Sequence, residues 1–171
     1  LTTALEALTK VRPQNTAFQL GFPYVDVLKL PQVIYEGSQL LLTPDAAELI
    51  NQLNTQKPAA IIVELPSNPM LQCVDLPLIA KLAHARGIPV IADDTIGSAI
   101  NIDTLPYVDL VFTSLTKSFS GQGDILAGSL IISPKSPWKK ALQELIPMVS
   151  TSNLSDADAI ELDKASKDVN C

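Results

Sequence analysis

Lys117 stands directly behind a run of strand-formers in "YVDLVFTSLTKSFSGQGD" (107–124), with hydroxyls at Ser114 and Thr116 before it and two glycines close behind. Open α/β sheets keep their chemistry where strands run out. Two further apolar runs end in the same way: "AAIIVELP" (59–66), with Glu64 near its end, leads into Ser67 and Asn68, and "IPVIADD" (88–94) closes on Asp93 and Asp94 before Thr95. If these strands lie parallel and adjacent, about 5 Å apart, their polar ends meet on one edge. That donor set suits a planar, phosphorylated, cationic ring. A carboxylate at the end of a buried strand keeps a ring nitrogen protonated, because an opposite charge in a low dielectric favours the ionised pair. Hydroxyls at Ser114 and Thr116 can donate to a phosphate. Beside a cationic ring a lysine gives up its proton more readily, leaving an amine able to form a Schiff base. Together these features describe a pyridoxal phosphate (PLP) site.

Taken one at a time, the same residues have plainer uses. A lone lysine at a strand end is ordinarily a solvated charge, and Asp93 with Asp94 could be a metal pair or turn residues. The glycines of "SGQGD" lead into a strand instead of a helix, so they are not a dinucleotide fingerprint and serve better as a tight turn behind the lysine. Glu64 is either a buried acid orienting neighbouring loops or a direct participant. Cys73 reads as a packed or loop thiol with no histidine near it in sequence, and His84, the single histidine, as a surface or packing residue. Trp138 and the Leu/Ile positions of 138–149 read as core.

The elements that must position these groups follow from period and punctuation. Strands are expected at 16–22 and 38–42, with a turn at Pro23 and an ambiguous stretch around "PQVIYEG". Thr43 offers an N-cap with Pro44 at the first helical position, and Ala46, Leu49, Ile50 and Leu53 recur at helical spacing. The uninterrupted apolar runs at 59–66, 88–94 and 107–115 suit strands buried on both faces. Asp75 caps a helix between the first two, which Gly87 ends. The segment between "YVDLVFTSL" and "DILAGSLIIS" is too short for a crossover helix, so the latter strand is expected antiparallel to its neighbour. Helices follow at 138–149 and, capped by Ser155, at 155–171. The expected architecture is α/β, a mostly parallel sheet with helices on both faces.

The length of 171 residues suits a single domain, and the 47% apolar, 18% charged composition suits a folded one. A net charge of −6 argues against a nucleic-acid surface. Apolar runs fall short of a membrane span, and two distant cysteines, Cys73 and Cys171, fit neither a disulfide framework nor a metal site; a cytoplasmic setting is the simpler expectation.

In "VELPSNP" (63–69), "VIADDT" (90–95) and "SLTKSFSGQGDILAGSL" (114–130), in that order and spacing, the sequence resembles the Cys/Met-metabolism family of PLP enzymes, which includes cystathionine γ-synthases, cystathionine lyases, methionine γ-lyase and homoserine sulfhydrylases. Within the family, "FPYVD", "ADDTIGSAINIDTLPYVDL" and "SLTKSFSG" look closest to the fungal-type cystathionine γ-synthases. The resemblance implies fold type I of the PLP enzymes, an aspartate aminotransferase-like large domain. It makes Lys117 the cofactor-bound lysine and proton shuttle, and Asp93 the partner of the pyridine nitrogen. Ser114 and Thr116 become the phosphate ligands, Asn68 lies near the ring's phenolic oxygen, and Tyr24 stacks on the ring and assists leaving-group departure. Asp94 departs from the family's usual asparagine and is expected to face away or cap. The implied activity is transsulfuration in methionine biosynthesis, γ-replacement of an activated homoserine by cysteine. γ-Elimination and direct sulfhydrylation are the alternatives within the family. Amino-acid substrates are the implied partners, in a homo-oligomer. The family's Ser-Gly-Met phosphate turn, its Tyr-x-Arg pair and its carboxylate-binding arginine have no counterpart in this sequence. Residues 1–171 are therefore expected to be one partial, incomplete cofactor-binding domain, with 151–171 leading toward a C-terminal domain. A noncatalytic folded module is the competing expectation, and the isolated chain is not expected to turn over.

Overall fold

The computed structural model describes residues 1–14, 16–151 and 154–167. Its centre is a six-stranded sheet in the order β2-β1-β3-β4-β5-β6. The strands are β1 (Thr16–Leu20), β2 (Gly37–Leu41), β3 (Ile61–Glu64), β4 (Val90–Asp93), β5 (Leu110–Ser114) and β6 (Gly128–Ile132). The first five are parallel and β6 runs antiparallel to β5, as the short connection requires.

Strand alternation sorts the apolar residues onto two faces. Phe18, Leu20, Ile61, Val63, Val90, Ala92 and Val111 pack with Leu49 and Leu53 of α3 (Ala46–Thr55) and Ile79 and Ala83 of α4 (Leu76–His84). Ala17, Ile62, Ile91, Leu110 and Phe112 point the other way, against Leu5 and Leu8 of α1 (Thr2–Val11), Val27 of α2 (Val25–Ile34) and Leu142 of α6 (Lys139–Val149). Two helices complete the chain's described elements, the short α5 (Ser98–Asn101) and α7 (Asp156–Ser166).

Local signals explain the helix starts. Asp75 accepts from Leu78 N–H at 3.0 Å, and Ser155 accepts from Asp158 N–H at 3.1 Å, each covering a free first-turn donor. Gly87, at φ +63, turns the chain after α4. The third helix begins later than Thr43 and Pro44 suggest. Its cap is Asp45, which accepts from Glu48 N–H at 2.7 Å, because a carboxylate three residues before that donor outcompetes the hydroxyl upstream. The expected helical tail beyond 167 lies outside the described residues. The 138–149 segment is a helix from Lys139, but only Leu142 is fully buried. Trp138, Leu145 and Ile146 lie half-buried against the core and Met148 is exposed, so this element is an outer cover and not core throughout.

At the edge where β4 and β5 begin, Asp109 ties three elements together. Its Oδ2 accepts from Val90 N–H at 2.8 Å and lies 3.0 Å from His84 Nε2, while Oδ1 accepts from the Ser136 hydroxyl at 2.7 Å. His84 is thus a packing partner at the end of α4, at the edge opposite the strand ends that carry Lys117. Asp109→Ala strands a buried N–H and a buried hydroxyl, and is expected to cost about 3 kcal/mol. A lowered urea midpoint at unchanged slope is the measurement that checks it.

Candidate functional site

Strand alternation also decides which polar ends share a face. Glu64 is in register with Asp93, and Asp93 with Phe112, so Glu64, Asp93 and, two residues past Phe112, Ser114 project to the face covered by α1 and α6. Asp94 and Thr113 project to the other face and pair there, the Thr113 hydroxyl donating to the Asp94 carboxylate. Asp94 therefore faces away from the row formed by Glu64, Asp93 and Ser114, in keeping with the expectation for it. It acts as a clamp between β4 and β5, and its own backbone carbonyl accepts from Ser98 N–H at 2.6 Å to start α5.

Asp93 is 6% exposed and accepts from Thr95 N–H at 3.0 Å. Burial pushes its carboxyl above the usual aspartate range, against the opposing pull of hydrogen bonds from the Thr95 side chain and backbone, and with Asp94 adding to the rise. The Thr95 hydroxyl also accepts from Ser114 N–H at 2.9 Å, so one side chain joins the end of β4 to the end of β5. Residue types alone assign Thr95 no task. The legible signal is a threonine two residues beyond a strand-end acid, where a short hydroxyl reaches both its own strand and the next.

Past Ser114 the chain turns sharply. Lys117 N–H donates to Ser114 C=O at 3.3 Å and Gly121 N–H to Lys117 C=O at 2.9 Å, and Gly121 and Gly123 both take positive φ, +74 and +73. This is the tight turn that the two glycines imply. It leaves the Lys117 side chain exposed, with no side-chain hydrogen bond or ion pair among the described residues. Thr116 is half-buried; its Oγ1 accepts from Ala127 N–H at 3.2 Å, which leaves the hydroxyl proton free for an outside acceptor.

The remaining two expected contacts reach the edge through loops. Tyr24 ends the β1–α2 connection and Asn68 lies in the loop after β3; both are exposed, and both backbone N–H groups donate to the Glu64 carboxylate, at 2.5 and 2.9 Å. Burial raises the Glu64 carboxyl, with Tyr24 and Asn68 opposing and Asp93 adding to the rise. The turn after β4 packs closely on this loop: a Cβ on Gly97 would lie 2.7 Å from the Leu65 carbonyl oxygen. A cavity of about 370 Å³ opens between α3 and α4, with Glu64, Cys73 and Asp75 on its wall. Of the strand-end row it touches Glu64 alone, and it holds none of Lys117, Asp93, Ser114 or Thr116.

Residues 37–164 match the profile of the Cys/Met metabolism PLP-dependent enzymes. The chain is similar to a cystathionine gamma-synthase of Neurospora crassa, 32% identical over 86% of this chain and 25% of that protein. It is also similar to an L-2-amino-4-chloropent-4-enoate dechlorinase/desaturase of Streptantibioticus cattleyicolor, 36% identical over 74% of this chain and 26% of that protein. Among solved structures, the cystathionine gamma synthase of Xanthomonas oryzae pv. oryzae in complex with cystathionine superposes with a TM-score of 0.79 at 20% identity, covering 98% of this chain and 44% of that one. The chain thus spans about a quarter of the length of the curated relatives it matches.

Proposed function

This chain belongs to the Cys/Met metabolism PLP-dependent enzymes, with their type I fold, and on that premise we propose that the whole protein replaces the γ-substituent of an activated homoserine with the sulfur of cysteine, giving cystathionine. In that exchange the Cγ–O bond breaks, a Cγ–S bond forms, and the thiol proton leaves with the acid anion that had esterified the homoserine hydroxyl. The observation that carries the reading is the row of Asp93, Ser114, Thr116 and Lys117 on neighbouring strand ends, set in the family's motifs.

The donor set fits the cofactor. Asp93 is a buried carboxylate with no ion-pair partner within 4 Å among the described residues, which suits it to pair with a cation such as a protonated ring nitrogen. The free hydroxyl proton of Thr116 and the half-buried Ser114 suit a phosphate. When bound, PLP supplies a ring that accepts the electrons released as substrate bonds break. The chain's own part is to hold and to move protons. Asp93 would fix the ring nitrogen, Ser114 and Thr116 the phosphate, Asn68 the phenolic oxygen, and Tyr24 the ring face. Lys117 would bind the cofactor covalently, then carry protons between substrate carbons at its Nζ.

On this reading residues 1–171 are part of a cofactor-binding domain, with α7 leading toward a C-terminal domain, in a cytoplasmic enzyme of methionine biosynthesis. Assembly into a homo-oligomer is part of the same proposal. Its support is the set of exposed apolar side chains near this edge, among them Phe22, Tyr24, Ile96 and Ile100. The test is to load the protein with PLP, reduce with borohydride and map the label by peptide mass. Label on Lys117 is the expected result, and label elsewhere overturns the assignment. Product analysis with cysteine and an activated homoserine then separates γ-replacement from γ-elimination and sulfhydrylation.

A further inference from the structure

Glu64 is a buried carboxylate for which the proposed chemistry has no use. It is 5% exposed at the end of β3, and each of its oxygens accepts one backbone N–H, Oε2 from Tyr24 and Oε1 from Asn68. These donors sit in loops that leave different strands, β1 and β3. A single loop could be closed by any neutral acceptor. A buried charge repays its desolvation only when both of its oxygens are engaged. The carboxylate is also in register with Asp93 and projects to the same face, so the charge sits beside another acid and gains nothing from that neighbour.

We propose that Glu64 is a positioning residue that fixes the Tyr24 and Asn68 loops relative to each other, and thereby sets the separation of the two side chains that meet the cofactor ring. This rests on the reading that Tyr24 and Asn68 contact the cofactor, and it adds a residue that touches neither cofactor nor substrate. Glutamine has the shape of Glu64 but offers one acceptor and one donor, so Glu64→Gln must release one of the two N–H groups. Glu64→Asp keeps the charge on a shorter stem that reaches only one loop.

The experiment uses the complete holoenzyme and reads PLP affinity, the visible circular dichroism of the bound cofactor, and thermal stability. In both variants the PLP dissociation constant is expected to rise about tenfold, with a weakened cofactor dichroism, because a misplacement of about 1 Å is costly at such a site. In a Tyr24→Ala, Asn68→Ala background the same Glu64 changes should add less than about twofold, the non-additivity of residues acting through one another. Wild-type affinity and dichroism in Glu64→Asp, or full additivity in the double background, overturns the proposal, including the case in which Glu64→Gln fails to fold. Lys117→Ala separates the two levels. If that variant loses the lysine-bound cofactor absorbance while the Glu64 variants behave as wild type, only the positioning role falls. If Lys117→Ala keeps the wild-type absorbance, the site reading falls and the positioning role with it.

Discussion

Lys117→Ala in the complete protein is expected to lower kcat for the proposed γ-replacement by at least about 10³-fold, the scale seen when a covalent participant is removed. The loss has two parts. Alanine has no amine to bind the cofactor covalently, so the lysine-bound absorbance disappears even where the phosphate and ring contacts keep PLP in place. Alanine also has no Nζ to take a proton from one substrate carbon and return it to another, and water entering the space left behind is a poor substitute. The backbone should not change: Lys117 contributes only its N–H and C=O to the turn, bonds that alanine keeps, and its side chain has no partner among the described residues. A melting temperature within a degree or two of wild type, together with lost turnover, is the expected pair of results. Steady-state turnover that survives the substitution would remove Lys117 from the chemistry.

Much of the site's scaffold is legible in the sequence because buried parallel strands leave strong local traces. The apolar runs around Ile61–Glu64, Val90–Asp93 and Leu110–Ser114 have the length and bounding residues of strands covered on both sides, and a parallel arrangement brings the polar residues that follow them to one edge. The antiparallel β6 was readable from loop length alone. The first helix and α2 are harder to read: α2 contains Pro31 within its span, a residue that ordinarily argues against a helix, and here packing of Val27 and Pro31 in the core overrides propensity.

What the sequence leaves open is pairwise. Nothing in residue types says that Asp109 would gather His84, Val90 and Ser136, since its partners lie 19 to 27 positions away. The same holds for Glu64 and Tyr24, which are 40 positions apart. Adjacent acids show the difference well. Asp93 and Asp94 are indistinguishable as types, yet alternation sends one to the row with Ser114 and the other to Thr113 on the opposite face. Their separate tasks follow from strand parity once the end of the strand is fixed.

Asp93→Asn is expected to move stability and activity in opposite directions. In the cofactor-free protein Asp93 is a buried acid whose folded pKa is raised, by burial first and by Asp94 as well, against the Thr95 hydrogen bonds. The folded chain therefore holds this proton more tightly than the unfolded chain does. Stability from this group is greatest below the ordinary aspartate range and is lost as pH rises through the raised folded value. Asparagine is neutral throughout and keeps an oxygen to accept from Thr95 N–H, so the apo variant should melt a few degrees higher than wild type at neutral pH. The gap should close on acidification, as the wild-type acid becomes protonated. With PLP, on the role proposed for Asp93, the order reverses: asparagine cannot hold a ring nitrogen in its protonated state, so the electron-accepting power of the ring falls, and kcat should drop on the order of 10²-fold or more. PLP should also stabilise the variant less than it stabilises wild type, since mass action scales with affinity. Melting curves with and without PLP across pH 4 to 8 or so, alongside kcat, check both signs. An apo variant no more stable than wild type would show that the Asp93 charge is not a burden to the fold. A variant with wild-type kcat would show that the ring nitrogen takes its proton from elsewhere.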